Sequence, residues 1–227
     1  MIYRNWTTID GRESVQVTVS GNGTEAVDSE SKLALARALV EIEKAGFRRG
    51  EIVRSRLFAL DSAARQAASD VRRAMLVGDL RSSSSSFVDA ERLAKPARVI
   101  MEVTAVRPLN AGATKSVREY EPVISPPMFV ALDGLVFLSG NTDESATFEA
   151  QVEAIRAKID ASLGVAGSDL SKAVVVSAFV SKKVDAATAR KAIAARFPEV
   201  TCPITLTTVE GYSAAAKMVE IEITARA

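Results

Sequence analysis

The sequence predicts an α+β protein built from two tandem domains, each a mixed β-sheet with two helices packed on one face. A Ser-Gly pair that follows an apolar run occurs twice, at Ser20-Gly21 and Ser139-Gly140. Apolar runs centred on a Phe also occur twice, at 56–60 and 176–180, and both repeats recur after about 120 residues, which indicates duplication. A length of 227 residues fits two domains of about 110 residues each.

Composition and charge argue against several classes of partner. Apolar residues make up 48% of the chain, charged residues 25%, and the formal net charge is +1. A near-neutral chain has no general electrostatic attraction to nucleic acid or to a membrane surface. No apolar run approaches the roughly 20 residues of a membrane span, and the N-terminus lacks the apolar core of a signal peptide. We therefore expect no nucleic-acid or membrane partner, and a cytoplasmic location, which a single cysteine suits.

Missing residue types restrict the chemistry. The chain has no histidine and one cysteine, Cys202. Zinc sites of imidazole and thiolate, and Ser-His-Asp or Cys-His nucleophiles, are therefore excluded. There is no Walker loop and no GxGxxG motif. We expect no metal, and chemistry carried by Arg, Lys, carboxylates, hydroxyls, backbone amides and water.

The first copy alternates strands and helices. Residues 15–20 alternate apolar and polar side chains, the period of a half-buried strand. A helix follows from Asp28 to Gly46. Residues 52–60 predict a strand and 63–77 a helix.

The end of the first copy contains an unusual serine run. Ser82–Ser86 offers no apolar side chain to bury, so we expect a mobile loop there. Residues 96–106 and 116–124 predict two further strands. The predicted domains are residues 1–122 and 123–227.

The second copy shows clearer patterns. Asp133-Gly134 predicts a hairpin turn between two short strands. A helix over 144–163 carries one apolar stripe, and strands are predicted over 173–180, 204–209 and 217–225 with a helix over 186–197. Each copy thus has the order β-β-α-β-α-β-β, and one face of each sheet has no helix to cover it. That face requires a partner.

The chain resembles the RidA/YjgF family of enamine/imine deaminases. The motifs that carry this resemblance are Leu138-Ser139-Gly140, 167–174 and 219–222 in the second copy, and Ser20-Gly21, 50–53 and the string Pro96-Ala97-Arg98 with its strand to Val103 in the first. The family fold is similar to that of the trimeric chorismate mutases, in which three sheets close a ring with a ligand cleft at each interface. Two domains per chain imply a homotrimer that is a pseudo-hexamer of domains.

The resemblance implies the following site residues. Arg98 would bind the substrate carboxylate, since a guanidinium grips it in a bidentate way. Glu119 and Glu220 would position or activate water. Backbone or hydroxyl contacts would come from Ile100, Ser20, Gly21, Ser139 and Gly140. Arg98 could instead pair with Glu102, the two glutamates could face solvent, and the Ser-Gly pairs could be simple turns. Thr205 would replace Arg98 in the second copy, and a working cleft would join Arg98 to Ser139 and Gly140.

The implied function is hydrolysis of a reactive enamine or imine bearing a carboxylate to a keto acid and ammonia, without a cofactor. Two alternatives remain open. One is a non-catalytic member that binds small carboxylates or a protein, and the other a chorismate-type lyase or hydrolase on the same trimeric scaffold. A near-neutral chain without histidine gives no support to ribonuclease activity, which is sometimes attached to the family name.

Overall fold

The computed structural model describes residues 1–227 and contains two sheets, each with two helices. The first sheet has the strand order β1-β2-β5-β3-β4, in which only β3 and β4 are parallel neighbours. Its elements are β1 (Ile2–Ile9), β2 (Arg12–Ser20), α1 (Val27–Lys44), β3 (Ile52–Ala59), α2 (Ser62–Met75), β4 (Ser83–Val88) and β5 (Val99–Val106).

The second sheet has the order β11-β10-β12-β8-β7-β6, and the short β9 also pairs with β12. Its elements are β6 (Ser116–Arg118), β7 (Phe129–Leu132), β8 (Leu135–Leu138), β9 (Asn141–Thr142), α3 (Phe148–Val165), β10 (Ala173–Ser181), α4 (Ala186–Arg196), β11 (Ile204–Val209) and β12 (Val219–Arg226). β10 and β11 are parallel, as β3 and β4 are in the first sheet.

The two halves share one topology, which confirms the predicted fold class. In both halves a hairpin leads to a long helix, a central strand, a second helix, a parallel edge strand and a last strand that returns to the middle of the sheet. Each half has its own core between helices and sheet. The apolar stripe predicted on the third helix is buried there, with Val152, Ile155 and Ile159 fully covered.

The two Ser-Gly pairs do not occupy the same register position. The repeated Phe residues, Phe58 and Phe179, define the equivalent positions of the two sheets. In the first sheet Ile100 pairs with Phe58 on one side and with Ser20 on the other. In the second sheet Glu220 pairs with Phe179 on one side and with Thr142 on the other. Ser20 therefore corresponds to Thr142. The register between β12 and its neighbours shifts by one residue between β8 and β9, and Ser139-Gly140 lies in this irregular stretch.

The serine run is a buried strand, so the predicted mobile loop is wrong. β4 pairs in parallel with β3, and Ser83, Ser84 and Ser85 are all buried. The hydroxyl of Ser83 donates to the carbonyl of Val53 at 2.9 Å. Because hydroxyl groups satisfy neighbouring polar groups and the second domain covers this edge, the strand does not need apolar side chains.

Two further strands differ from expectation. β1 forms an edge strand that the sequence pattern did not indicate. The strand predicted over 116–124 covers only Ser116–Arg118 and pairs with β7, so the second sheet begins before residue 123.

The faces of the two sheets that carry no helix pack against each other within one chain. Glu222 of β12 accepts hydrogen bonds from Arg56 of β3 at 2.6 and 3.1 Å and lies 3.4 Å from Arg54. Arg54 also donates to the carbonyl oxygens of Leu138 and Ile223. Although burial opposes ionisation of Glu222, the charges of Arg56 and Arg54 outweigh it and lower its pKa to about 2.

Aromatic rings extend the same contact towards one end of the sheets. Phe87 of β4 stacks on Phe179 of β10 at 4.2 Å between ring centroids and on Phe58 of β3 at 5.1 Å. Tyr212 is buried among them and donates its hydroxyl to the carbonyl of Phe179. Rings from both halves thus form one shared apolar cluster.

We expect Glu222→Gln to destabilise the protein by roughly 3 to 5 kcal/mol, because it leaves Arg54 buried without a counter-charge and Arg56 with only Glu102, at 3.7 Å. Urea unfolding at pH 7 measures this loss. The matched control is Glu43→Gln in the exposed pair with Arg49, which we expect to change stability little. Equal effects of the two substitutions would contradict a structural role for the buried pair.

Candidate functional site

A polar cavity of about 330 Å³ lies where the two domains meet. Its walls come from α2, from the serine strand β4 and from the start of β12, and only one of its 20 lining residues is hydrophobic. The lining residues include Arg65, Arg72, Arg73, Arg81, Ser85, Gly140, Lys217 and Glu220. Five of the lining residues are basic and two are acidic, which favours a small anionic ligand.

Glu220 is the acid of this cavity. It lies on the helix-free face of β12, two residues before Glu222, and is 5% exposed. Burial raises its pKa to about 8, and the neighbouring charge of Glu222 adds to this, while the hydroxyl of Ser85 opposes it. At neutral pH Glu220 is therefore a carboxylic acid that can donate a proton.

The irregular stretch at Ser139-Gly140 brings the second domain close to the serine strand. The N–H of Gly140 donates to the carbonyl of Ser84 at 3.2 Å, and the N–H of Ser84 donates to the hydroxyl of Ser139 at 3.1 Å. A side chain at Gly140 would overlap with the carboxyl group of Glu220 and the hydroxyl of Ser85. Glycine at this position is what lets those two groups approach each other.

Most cations of the cavity already have partners. Arg72 is buried and donates to the carbonyl of Ser85 at 2.6 Å and to the hydroxyl of Ser86 at 2.7 Å, so it holds the serine strand in place. Arg73 pairs with Asp70 at 2.8 Å.

Arg81 at the mouth of the cavity is also engaged. It makes two hydrogen bonds of 2.9 Å to the carboxylate of Glu119. Lys217 donates to the hydroxyl of Ser213 at 2.8 Å.

One buried polar atom of the cavity has no partner. The Nε of Arg65 makes no hydrogen bond, although the Nη2 of the same side chain donates to the side chain of Gln66 at 3.1 Å. The hydroxyl of Ser85, a residue only 4% exposed, lies beside the carboxyl group of Glu220 and opposes the rise of its pKa. Since buried polar groups are normally satisfied, the Nε of Arg65 marks the place where a polar atom of a ligand would bind.

The structure brings together three of the residues predicted from the sequence, namely Glu220, Ser139 and Gly140. Glu119 is near but has another position than expected. It follows β6 of the second sheet, rather than lying on a strand of the first domain, and binds Arg81 at the cavity mouth.

Arg98, Ile100, Ser20 and Gly21 lie outside this cavity. Arg98 donates its backbone N–H and its Nε to the fully buried carboxylate of Glu30, at 2.8 and 3.0 Å. It precedes β5 as Met218 precedes β12, and the backbone N–H of Met218 donates to Gln151 in the same way. Arg98 therefore corresponds to Met218, and the predicted correspondence with Thr205 is not observed.

The other three residues serve the first sheet. Ile100 is 5% exposed and packs in the aromatic cluster, at the position that Glu220 has in the second sheet. Gly21 donates its N–H to the carbonyl of Val99 at 2.9 Å, and Ser20 pairs with Ile100 in the ladder. The cleft predicted between Arg98 and Ser139-Gly140 is not formed within the chain.

Sequence reasoning missed Arg65, Arg72, Arg81 and Ser85. A usable signal was present for the first two, because residues seven apart lie on the same face of a helix. The sequence pattern does not show that these arginines lie beside a strand, since the serine run that forms it has the composition of a loop.

The comparisons with known proteins agree with this architecture. The family model described as Endoribonuclease L-PSP matches residues 111–227. The chain belongs to this family, and it is a tandem member of the RidA/YjgF proteins. A search of the curated proteins found no match.

Solved structures match about half of the chain or nearly all of it. A YjgF/YER057c/UK114 family member from Mycobacterium tuberculosis is 21% identical and covers 50% of this chain and 100% of its own, with a TM-score of 0.45. RidA from an Antarctic Psychrobacter is 21% identical over 46% of this chain and 90% of its own, with a TM-score of 0.42. A chorismatase is 13% identical over 97% of this chain and 79% of its own, with a TM-score of 0.63. This last match shows that the two-domain fold as a whole has been observed before.

No group of His, Cys, Asp and Glu side chains is arranged to hold a metal ion. None of the helices combines the length and the apolar character that crossing a membrane requires.

We expect Gly140→Ala to displace the carboxyl group of Glu220 and to abolish ligand binding in the cavity, because the added methyl group has no space. Calorimetric titration with pyruvate, a small carboxylate, measures this loss. Gly164→Ala in α3 is the matched control, since a methyl group there meets no atom, and it should retain binding. Undiminished binding in Gly140→Ala would show that the ligand site lies elsewhere.

Proposed function

We propose that this protein hydrolyses a small enamine or imine that bears a carboxylate, and releases a 2-oxo acid and ammonia. The observation that supports this most is Glu220, a buried acid that is neutral at pH 7, at the end of a cavity lined with guanidinium groups and hydroxyls. This combination of a proton donor and an anion site suits acid-catalysed hydrolysis of a carboxylate substrate.

The substrate carboxylate would bind Arg65 rather than Arg98. Arg65 has a buried Nε without a partner in the cavity, whereas Arg98 is engaged with Glu30 outside it. A planar guanidinium matches a carboxylate in shape and charge. The hydroxyl of Ser85 lies beside the acid.

The reaction would proceed by proton transfer from Glu220 to the β-carbon of the enamine, which forms an iminium ion. The resulting Glu220 carboxylate stabilises the iminium and then accepts a proton from the attacking water. The carbinolamine formed in this way collapses to ammonia and the 2-oxo acid. One water is consumed, and Glu220 ends in its protonated form.

We expect kcat/KM to fall as pH rises through about 8, because the ionised form of Glu220 cannot donate the proton. Above this pH the decrease should approach tenfold per unit. Glu220→Gln should lose activity at every pH. The measurement is ammonia release from an imine generated in situ, with the spontaneous rate subtracted, and a flat profile up to pH 10 would refute the role of Glu220.

Stability provides the control for Glu220→Gln. The pKa of Glu220 is about 8 in the folded state and 4.5 in the unfolded chain. The stability that its neutral form contributes is therefore fully present below pH 4.5 and is lost as pH rises through about 8. Glutamine does not ionise. The melting temperature of the variant should therefore exceed that of the wild type at pH 9 and approach it at pH 5.

Two arginine variants show whether the substrate carboxylate binds in the cavity or at the arginine implied by the family resemblance. Arg65→Ala should raise KM by at least tenfold, since it removes the proposed carboxylate contact. Arg98→Ala should lower stability, because Glu30 loses its buried partner, but should leave KM nearly unchanged. The opposite result in steady-state kinetics would restore Arg98 as the substrate residue.

A second candidate is hydrolysis of an enol ether of the kind present in chorismate. It is favoured by the chorismatase fold match over 97% of the chain. Protonation of an enol ether carbon by Glu220 would follow the same course, with pyruvate released instead of ammonia. Incubation with chorismate and assay of pyruvate distinguishes the two reactions.

A non-catalytic carboxylate-binding protein is the third possibility. It predicts that Glu220→Gln binds pyruvate as the wild type does while neither ammonia nor pyruvate is ever formed from the substrates above.

We further propose a homotrimer as the assembled form. β1 and β11 are edge strands of their sheets, and seven of the eight β1 residues are exposed. Unpaired strand edges of this kind can associate with another chain. Sedimentation equilibrium gives the subunit number directly.

A further inference from the structure

A second space adjoins the mouth of the cavity and is more apolar. It has a volume of about 720 Å³, is open to solvent, and is lined by four aliphatic side chains, Val77, Val117, Val123 and Ile124, which we call the apolar ledge. It shares Arg73, Arg81 and Ser125 with the cavity. The two spaces are therefore adjacent, so that a ligand longer than the cavity would reach the ledge.

The aliphatic side chains of the ledge are unusually exposed. Val77 is 59% exposed, Val123 72% and Ile124 53%. They are three of only eleven large hydrophobic residues that are exposed in the whole chain, and they come from two separate segments. Exposed apolar side chains that gather at one place typically mark a binding surface.

The junction between cavity and ledge is charged. The ion pair of Arg81 with Glu119 and that of Arg73 with Asp70 lie there. Arg73 and Arg81 line both spaces, whereas the four aliphatic side chains line only the second. The order of polar and apolar surface matches a ligand with an anionic head and an uncharged hydrocarbon body.

We propose that the apolar ledge binds the hydrocarbon side chain of the substrate, and that the preferred substrate derives from an amino acid with an aliphatic side chain of three or more carbons. This inference rests on the proposed function, which places the carboxylate in the cavity near Arg65. It assigns substrate choice to Val123 and Ile124, in the segment that connects the two sheets, while the proton donor remains in the second domain.

The test is a calorimetric titration with straight-chain 2-oxo acids from pyruvate to 2-oxohexanoate. The wild type should gain about two- to fourfold in affinity for each added methylene, as expected for partial to full burial of that group. The double variant Val123→Ser with Ile124→Ser should lose this gain and bind pyruvate within twofold of the wild type. Because both side chains are exposed, the variant should fold normally.

Leu109→Ser is the matched control, since Leu109 is 69% exposed but does not line the ledge, and it should keep the full gain. A wild-type series without dependence on chain length would overturn the proposal, as would a gain that survives in the double variant. Sedimentation velocity adds a third check. If the double variant dissociates an oligomer that the wild type forms, the ledge is an interface between copies and the proposal is wrong.

Failure of the proposed function gives a different result. If no 2-oxo acid binds, pyruvate included, the cavity is not a carboxylate site. The ledge is then tested alone with hexan-1-ol by saturation-transfer NMR. A signal that the double variant loses supports an apolar subsite, and a signal that it keeps, or no signal in the wild type, rules the subsite out.

Discussion

The candidate site depends on the packing of two helix-free sheet faces against each other inside one chain. Each sheet has helices on one side only, so the other side must be covered. Here the charges of Arg54 and Arg56 on one sheet meet Glu222 on the other, with stacked aromatic rings beside them. Separating a buried charge from its partner is costly, so arrangements that remove Glu222 from Arg54 and Arg56 are disfavoured. The alignment they favour is the one that brings β4 against Ser139-Gly140.

Two glutamates on one strand acquire opposite properties from this packing. Glu220 and Glu222 alternate along β12 with Ile221 and Ile223, which pack in the core with the helices, so both glutamates lie on the opposite face. Two arginines from the first domain lower the pKa of Glu222, while Glu220 faces hydroxyls and a glycine, and burial raises its pKa. One carboxyl group therefore serves structure and the other is available for chemistry. A pair of acids with separated pKa values is typical of enzymes that need a proton donor at neutral pH.

The two copies have diverged in what their equivalent positions do. Glu220 in the second copy corresponds to Ile100 in the first, where an apolar side chain completes the aromatic cluster. The first copy contributes instead the arginines of α2 and the serines of β4. The acid Glu220 comes from one half and four of the five cations come from the other, so the site forms where the two halves meet.

The sequence by itself determined the duplicated topology and the helix and strand order of the second copy, because repeats and periodic burial depend on near neighbours in the chain. Ser139, Gly140 and Glu220 were site candidates only through the motifs that resemble the RidA/YjgF family. Only the tertiary structure decided that the serine run is a buried strand, that Ser20 corresponds to Thr142, and that Arg98 pairs with Glu30 while Arg65 faces the cavity. Those outcomes depend on which surface of one domain covers the other, and such long-range contacts leave no periodic trace in the sequence.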